Sequence, residues 1–136
     1  MNDRLFVYGT LLPGSPHPLA RRLAAESDDL GPAQVPGLLY DLGGYPGLRH
    51  QPGTPARVQG RLLRLHDPGR SLPWLDAYEG CSPRDPRPHE YRRVELPVQT
   101  AQGDRVTAWA WLWQGLPRGR LIAGGDWLAS VSRGES

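Results

Sequence analysis

The segment from Val106 to Trp113 constrains the fold more than any other part of this sequence. Positions 109, 111 and 113 are tryptophan, and positions 108, 110 and 112 are alanine or leucine. Successive side chains of a strand point to opposite faces of the sheet, so this strand would be apolar on both faces. A strand of this kind is covered by other residues on both sides. The segment therefore predicts a central strand between two packed layers.

Shorter apolar runs predict the other regular elements. We expect two helices, Pro18–Glu26 and Leu72–Tyr78, and the second has Ser71 as a suitable N-cap and Gly80 as a suitable stop. Pro97 cannot donate a backbone hydrogen bond, so its strand is expected at a sheet edge. The remaining strands are expected at Arg4–Tyr8, Val35–Tyr40, Arg57–His66 and Tyr91–Val98.

The many glycines and prolines, 17 and 15, are spread along the chain and predict short elements joined by tight turns. We expect loops at Leu42–Gly47 and Ser82–His89, and a loop with at most a turn of helix at Leu116–Trp127. Together these elements predict an α+β fold, namely a small, mostly antiparallel β-barrel or curled sheet with two short helices. Positions 1–131 are expected to form one domain, and positions 132–136 a flexible tail.

The composition excludes several classes of function. Cys81 is the only cysteine, so neither an internal disulfide nor a cysteine-only metal site is possible. All sixteen basic residues are arginine, which excludes Schiff-base chemistry on a lysine and a Walker-type phosphate loop. The arginines are scattered and the net charge is only +2, whereas nucleic-acid binders concentrate their basic residues. Nucleic acid is therefore not expected as a partner.

The distribution of apolar residues bears on localisation. No apolar run approaches the roughly 20 residues that a membrane-spanning helix needs. The first residues, Met1–Arg4, are not followed by the long apolar segment of a secretory signal. We therefore expect a cytoplasmic protein without a membrane partner.

The first expected strand ends in the sequence Tyr8-Gly9-Thr10-Leu11. Where a strand ends in a glycine and a hydroxyl residue, backbone N–H groups point away from the sheet and can hold a carboxylate or an oxyanion. A plain turn after the strand is the other interpretation, and such turns are common. The pattern alone leaves both interpretations open.

Glu79 stands at the end of the second expected helix, three residues after Asp76. The helix dipole disfavours a negative charge at this end and raises the pKa of the carboxyl, and partial burial raises it further. A raised pKa suits a carboxyl that acts as a general base and then as a general acid near neutral pH. An ordinary exposed glutamate in the last helical turn is the alternative.

Other reactive side chains show no pattern typical of catalysis or metal binding. Cys81 follows Gly80, but no particular histidine is placed to activate its thiol, which favours a packing role. The chain has no Gly-x-Ser-x-Gly sequence of a serine hydrolase. No pair of histidines has the spacing of metal ligands, and we expect ordinary core or surface roles for His17, His50, His66 and His89.

Seven segments, taken in order, form a more specific pattern. They are Phe6–Leu11, Gly37–Leu48, Val58–Gly60, Leu75–Gly80, Tyr91–Val94, Ala108–Trp111 and Gly125–Trp127. Together they resemble the γ-glutamylcyclotransferase-like (AIG2-like) family, over nearly the whole chain. The chain departs from the family in two places. Ser15–Pro18 replaces an Asn-His pair found in many members, and the 82–90 loop is longer and richer in proline.

The resemblance implies a β-barrel-like α+β fold with a pocket beside the first loop. Members cleave γ-glutamyl amides by cyclising the γ-glutamyl group to 5-oxoproline and releasing the amine, without a metal or an organic cofactor. The family's acid/base glutamate corresponds to Glu79, and its substrate-cradling loop corresponds to Tyr8–Leu11. Gly44, Tyr45 and Tyr91 are further candidates for the pocket wall.

Our leading hypothesis is thus a γ-glutamyl cyclotransferase whose partner is a small γ-glutamyl substrate and whose acid/base group is Glu79. A ligand-binding member of the same fold that lacks catalysis is the alternative, and nucleic-acid binding through the arginines ranks last. The identity of the leaving amine or amino acid, the pathway and the oligomeric state do not follow from the sequence.

Overall fold

The computed structural model describes residues 2–115 and 119–132. Helices and strands alternate irregularly along the chain. The strands are β1 (Arg4–Val7), β2 (Ser27–Asp41), β3 (Pro46–His50), β4 (Arg57–Leu65), β5 (Tyr91–Thr100), β6 (Arg105–Trp113) and β7 (Arg120–Leu121). The helices are α1 (Pro18–Ala25), α2 (Pro68–Glu79) and α3 (Trp127–Ser132), with a 3₁₀ turn at Ala123–Gly125.

Five of the strands form a closed barrel in the order β2-β4-β1-β6-β5. The barrel closes where Ala33 and Gln34 of β2 pair with Thr100 and Gln99 of β5. The β1–β6 pair is parallel and the other pairs are antiparallel. β3 and β7 extend the barrel by pairing with the end of β2. The expected α+β class and the mostly antiparallel barrel are confirmed.

Strand β6 separates two apolar clusters, as its alternating sequence predicts. Ala108 and Ala110 pack inside the barrel with residues from all its strands. Trp111 and Trp113 lie in a second cluster, which the inner faces of α1 and α2 share. Trp113 is only 2% exposed. The helices therefore cover the outer face of β1 and β6, and this arrangement fixes where the end of α2 lies.

Strand β2 is much longer than the expected Val35–Tyr40. It begins at Ser27 and spans 15 residues. Its register against β4 shifts between Asp29 and Gly31, and Gly31 has a φ of 108°. This bulge, the acidic residues and a proline interrupt the apolar alternation, so the first half of the strand gives no strand pattern in the sequence.

Helix α2 also begins earlier than expected. Its N-cap is Asp67, and Pro68 occupies the first turn, where a proline costs no hydrogen bond. Ser71 is therefore not the N-cap. It is fully buried inside the helix, and its hydroxyl donates to Glu26 over 2.6 Å. Gly80 ends the helix with a φ of 74°, as expected from its position.

Three elements of the structure have no counterpart among the helices and strands located from the sequence. β3 lies at the end of the predicted glycine-rich loop, and β7 and α3 lie in or directly after the segment expected to be a loop. These elements are short, and their order depends on pairing with β2 or on packing of Trp127 in the barrel core. Residues 116–118 of the predicted loop and 133–136 of the predicted tail lie outside the described residues.

None of the described helices is long and apolar enough to cross a membrane.

Candidate active site

A cavity of about 460 Å³ opens between the end of β1, the end of α2 and the start of β5. Tyr8–Leu11 follow β1 directly and line it on one side, and Glu79 and Tyr91 line it as the last residue of α2 and the first of β5. The structure therefore brings together two stretches that lie about seventy positions apart in the chain. Tyr45 lines the same cavity.

The loop after β1 is a tight turn, in which the N–H of Leu12 donates to the carbonyl of Gly9 over 3.1 Å. Within residues 2–115 and 119–132, the N–H groups of Gly9, Thr10 and Leu11 have no hydrogen-bond acceptor. A side chain at Gly9 would place its Cβ 2.5 Å from Cγ of Pro46. Glycine is thus required here so that the loop can lie against β3, with donors available at the cavity.

Burial raises the pKa of the Glu79 carboxyl to about 7, and the negative charges of Asp76 and Glu90 add to the effect. The sequence-based prediction of a raised pKa is therefore confirmed. The largest cause is loss of water around the carboxyl, which follows from its position against the barrel. A carboxyl with this pKa exchanges a proton readily near neutral pH.

Two tyrosines form the inner wall of the cavity, and their hydroxyl groups are already engaged. Tyr8 donates to the carbonyl of Trp111 over 2.7 Å, and Tyr91 donates to the carbonyl of Pro46 over 2.6 Å. Burial raises the pKa of both phenols, and the charge of Glu79 contributes to each. Both phenols therefore stay protonated and serve to shape the cavity and to fix the strands around it.

Glu90 and Tyr45 lie at the exposed side of the cavity. The hydroxyl of Tyr45, a residue that is 36% exposed, donates to Glu90 Oε1 over 2.9 Å. Sequence reasoning singled out Tyr45 but missed Glu90, which precedes β5 in a proline-rich loop and carries no motif of its own. Only the approach of β5 to the end of α2 places this second carboxylate in the same cavity as Glu79.

Gly44 is the one candidate that does not line the cavity. Its N–H donates to Asp41 Oδ1 over 2.9 Å, and so does the N–H of Gly43. Both glycines have positive φ angles, 115° at Gly43 and 98° at Gly44. The glycine-rich loop thus turns around the carboxylate of Asp41, and its role is to place Tyr45 and Pro46.

Cys81 lies outside this cavity, beside a smaller one of about 260 Å³. Its Sγ lies 3.7 Å from Asp76 Oδ1. Burial, followed by the charge of Asp76, raises the pKa of the Cys81 thiol to about 11. The thiol is therefore protonated near neutral pH, in keeping with the packing role expected from the sequence.

The described residues contain no group of three or more histidine, cysteine, aspartate or glutamate side chains arranged to hold a metal ion. Proton transfer by a carboxyl and hydrogen bonding by backbone N–H groups are the chemistry that this cavity offers.

A closed five-stranded mixed barrel, with a carboxyl-lined cavity where β1 meets α2, defines a class of small α+β barrel proteins. Residues 5–129 match the family described as gamma-glutamyl cyclotransferase, AIG2-like. The chain belongs to this family, as the sequence resemblance predicts.

Solved structures share the fold. The protein PH0828 from Pyrococcus horikoshii is 26% identical with a TM-score of 0.67, over 97% of this chain and 93% of that one. An AIG2-like protein from Mus musculus is 25% identical with a TM-score of 0.67, over 85% of this chain and 79% of that one. YkqA from Bacillus subtilis is 22% identical with a TM-score of 0.72. The match covers 98% of this chain but only 43% of YkqA. No curated protein has a matching sequence.

Proposed function

We propose that the protein is a γ-glutamyl cyclotransferase, which releases an amine or amino acid from a γ-glutamyl substrate and forms 5-oxoproline. The observation that carries this proposal is the position of Glu79. Its carboxyl, with a pKa of about 7, lines the same cavity as the Gly9–Leu11 N–H groups. Membership of the gamma-glutamyl cyclotransferase, AIG2-like family supports the same reaction.

In this reaction the α-nitrogen of the substrate attacks its own γ-carbonyl carbon. A carbon–nitrogen bond forms to close the five-membered ring, and the bond from the same carbon to the leaving nitrogen breaks. Glu79 takes a proton from the attacking nitrogen and delivers a proton to the leaving nitrogen. One carboxyl acting in this way contributes about 10²–10⁴-fold to the rate.

The rest of the cavity holds the substrate in a reactive shape. The N–H groups at Gly9–Leu11 bind the α-carboxylate or the oxygen that gains negative charge during attack. Tyr8 and Tyr91 form a rigid wall because their hydroxyl groups are bonded to Trp111 and Pro46. Holding the attacking nitrogen about 3 Å from the carbonyl carbon adds a further acceleration, because a flexible chain rarely adopts this geometry.

The test is to incubate the purified protein with a panel of γ-glutamyl amines and γ-glutamyl amino acids and to measure 5-oxoproline. One control substrate and one product measurement make the result specific. A γ-glutamyl amide with an acetylated α-nitrogen cannot cyclise and should not react, and release of glutamate in place of 5-oxoproline would indicate hydrolysis. We expect 5-oxoproline from at least one member of the panel.

Glu79→Gln keeps the size of the side chain and removes the titratable carboxyl, so we expect turnover to fall by about 10²-fold or more. Glu95→Gln is the matched control, because Glu95 is exposed on β5 and does not line the cavity. The proposal is wrong if no γ-glutamyl compound yields 5-oxoproline, or if Glu79→Gln reacts as fast as the wild type. If no compound yields 5-oxoproline but one of them binds in the cavity, the result favours a non-catalytic binding protein.

A further inference from the structure

His17 has a defined proton position because of its place at the start of α1. It is the N-cap residue, and its Nδ1 accepts a hydrogen bond from the backbone N–H of Leu19 over 3.1 Å. A ring nitrogen that accepts a hydrogen bond carries no proton, and a neutral imidazole then carries its proton on the other nitrogen. The Nε2 atom of His17 is therefore a donor.

This donor begins a chain of hydrogen bonds that ends at the cavity. Nε2 of His17 lies 3.4 Å from the hydroxyl of Tyr78, and the two rings meet edge to face with centroids 5.2 Å apart. When the Tyr78 oxygen accepts from His17, its own hydrogen is available to Oγ1 of Thr10, 2.9 Å away.

Thr10 lines the cavity, and in this direction of the chain its hydroxyl oxygen accepts from Tyr78. Its hydrogen has no other acceptor within the described parts of the chain. We propose that the Thr10 hydroxyl donates a hydrogen bond to an oxygen of the substrate and that His17, through Tyr78, fixes this direction. The nature of the ligand rests on the proposed function, whereas the direction of the chain rests on the hydrogen bonds of His17 and Tyr78.

The opposite direction carries an identifiable cost. If Thr10 donated to Tyr78, and Tyr78 to His17, the imidazole proton would lie on Nδ1 and face the N–H of Leu19. The helix would then lose its cap, which is worth about 1 kcal/mol.

A donor at this position matters because no basic side chain of the described residues lines the cavity. A γ-glutamyl substrate brings at least one carboxylate and an oxygen that becomes negative during attack. Among the described residues, the groups that can stabilise both are neutral donors, namely the Gly9–Leu11 N–H groups and the Thr10 hydroxyl. The two oxygens can be distinguished, because loss of a contact to the carboxylate raises KM, whereas loss of a contact formed only during attack lowers kcat.

The first experiment replaces the donor. Thr10→Val has nearly the same shape without the hydroxyl, and we expect kcat/KM to fall by about 10- to 100-fold. Thr10→Ser keeps the hydroxyl and should recover most of the loss. A Thr10→Val variant as active as the wild type would overturn the proposal.

The second experiment tests the direction. Tyr78→Phe and His17→Asn should each lower kcat/KM by about threefold, because the Thr10 hydroxyl is no longer held in one of its three staggered positions. Asparagine still caps the helix. In a Thr10→Val background neither change should have a further effect. An equal effect in both backgrounds would show a purely structural role and overturn the proposal. Tyr40→Phe, which lies outside the cavity, is the control.

Two measurements separate this proposal from the proposed function. Nitrogen-15 NMR of the imidazole should show the His17 proton on Nε2, and a proton on Nδ1 would overturn the chain. Binding of 5-oxoproline should be weaker in Thr10→Val than in the wild type. If this is observed but no γ-glutamyl compound is turned over, only the proposed function fails. If Thr10→Val binds 5-oxoproline as tightly as the wild type, this proposal fails. If the wild type does not bind 5-oxoproline, both this proposal and the proposed function fail.

Discussion

The carboxylate of Asp76 accepts two hydrogen bonds from the guanidinium of Arg93, over 2.9 and 3.1 Å. It also accepts one from the indole N–H of Trp111, over 3.1 Å. Asp76 therefore joins α2 to β5 and β6 one turn before Glu79. Its charge is the second cause, after burial, of the raised pKa of Glu79. The ion pair thus links the stability of the barrel–helix contact to the chemistry of the cavity.

We expect Asp76→Asn to lower the pKa of Glu79. The change removes a nearby negative charge and leaves the positive charge of Arg93 without this partner. The acid limb of the kcat/KM profile, which we assign to Glu79, should therefore move from near pH 7 to lower pH. The free energy of unfolding should also fall, by about 1–3 kcal/mol. Asp104→Asn, in the exposed β5–β6 turn, is the control, and an acid limb unmoved by Asp76→Asn would contradict the prediction.

The pH dependence of stability should reveal the buried carboxyl of Glu79 independently of activity. Its pKa is about 7 in the folded protein and has an ordinary value of 4.5. Between these values the folded state retains a proton that the unfolded state has lost, so this group lowers stability as the pH rises through that window. Relative to the wild type, Glu79→Gln should therefore gain up to about 3 kcal/mol between pH 4 and pH 8.

Urea unfolding of both proteins at pH 4, 6 and 8 measures this difference. Glu95→Gln replaces an exposed carboxyl, and its difference from the wild type should vary little with pH. A Glu79→Gln difference that stays constant over this range would mean that the carboxyl titrates normally.

Gly9→Ala should disrupt the loop that presents the N–H groups. The new Cβ would lie 2.5 Å from Cγ of Pro46, so either the loop or β3 must move. We expect a loss of about 1–3 kcal/mol in unfolding free energy and a large fall in activity. Gly69→Ala is the matched control. Its Cβ meets only Asp67, at an ordinary 3.5 Å, inside a helix where alanine is favoured. Thermal unfolding and turnover of both variants test this prediction, and Gly9→Ala behaving like Gly69→Ala would contradict it.

The carboxylate of Glu90 should favour substrates whose leaving group is positively charged. Glu90 lines the exposed side of the cavity, and its negative charge acts on Glu79, where it is one of the causes of the raised pKa. A γ-glutamyl diamine should therefore react about fivefold faster, in kcat/KM, than a neutral γ-glutamyl alkylamine of equal length. In Glu90→Gln this ratio should fall towards one, and it should disappear in the wild type at high salt. A ratio that Glu90→Gln leaves unchanged would exclude this role.

The sequence was most informative where one local pattern has one physical solution. Alternation over positions 106–113 predicts a strand between two apolar layers, and the structure places the two sets of side chains in separate clusters. Gly80 is predicted to end a helix and does so with a positive φ. The sequence did not predict the first half of β2 or β3, because these segments are ordered by pairing with neighbouring strands. Proline, glycine or acidic residues interrupt the apolar alternation there.

For the site, the sequence by itself determined which chemical groups are available, namely a glutamate at a helix end, a glycine-containing loop and tyrosines to shape a pocket. Tertiary structure alone decided that Glu79 and the Tyr8–Leu11 loop line one cavity, that Glu90 joins them and that Gly44 does not. The reason is that burial and charge depend on distances across the barrel. The parallel pairing of β1 with β6 and the packing of α2 on their outer face set these distances, and no local pattern in the chain encodes them.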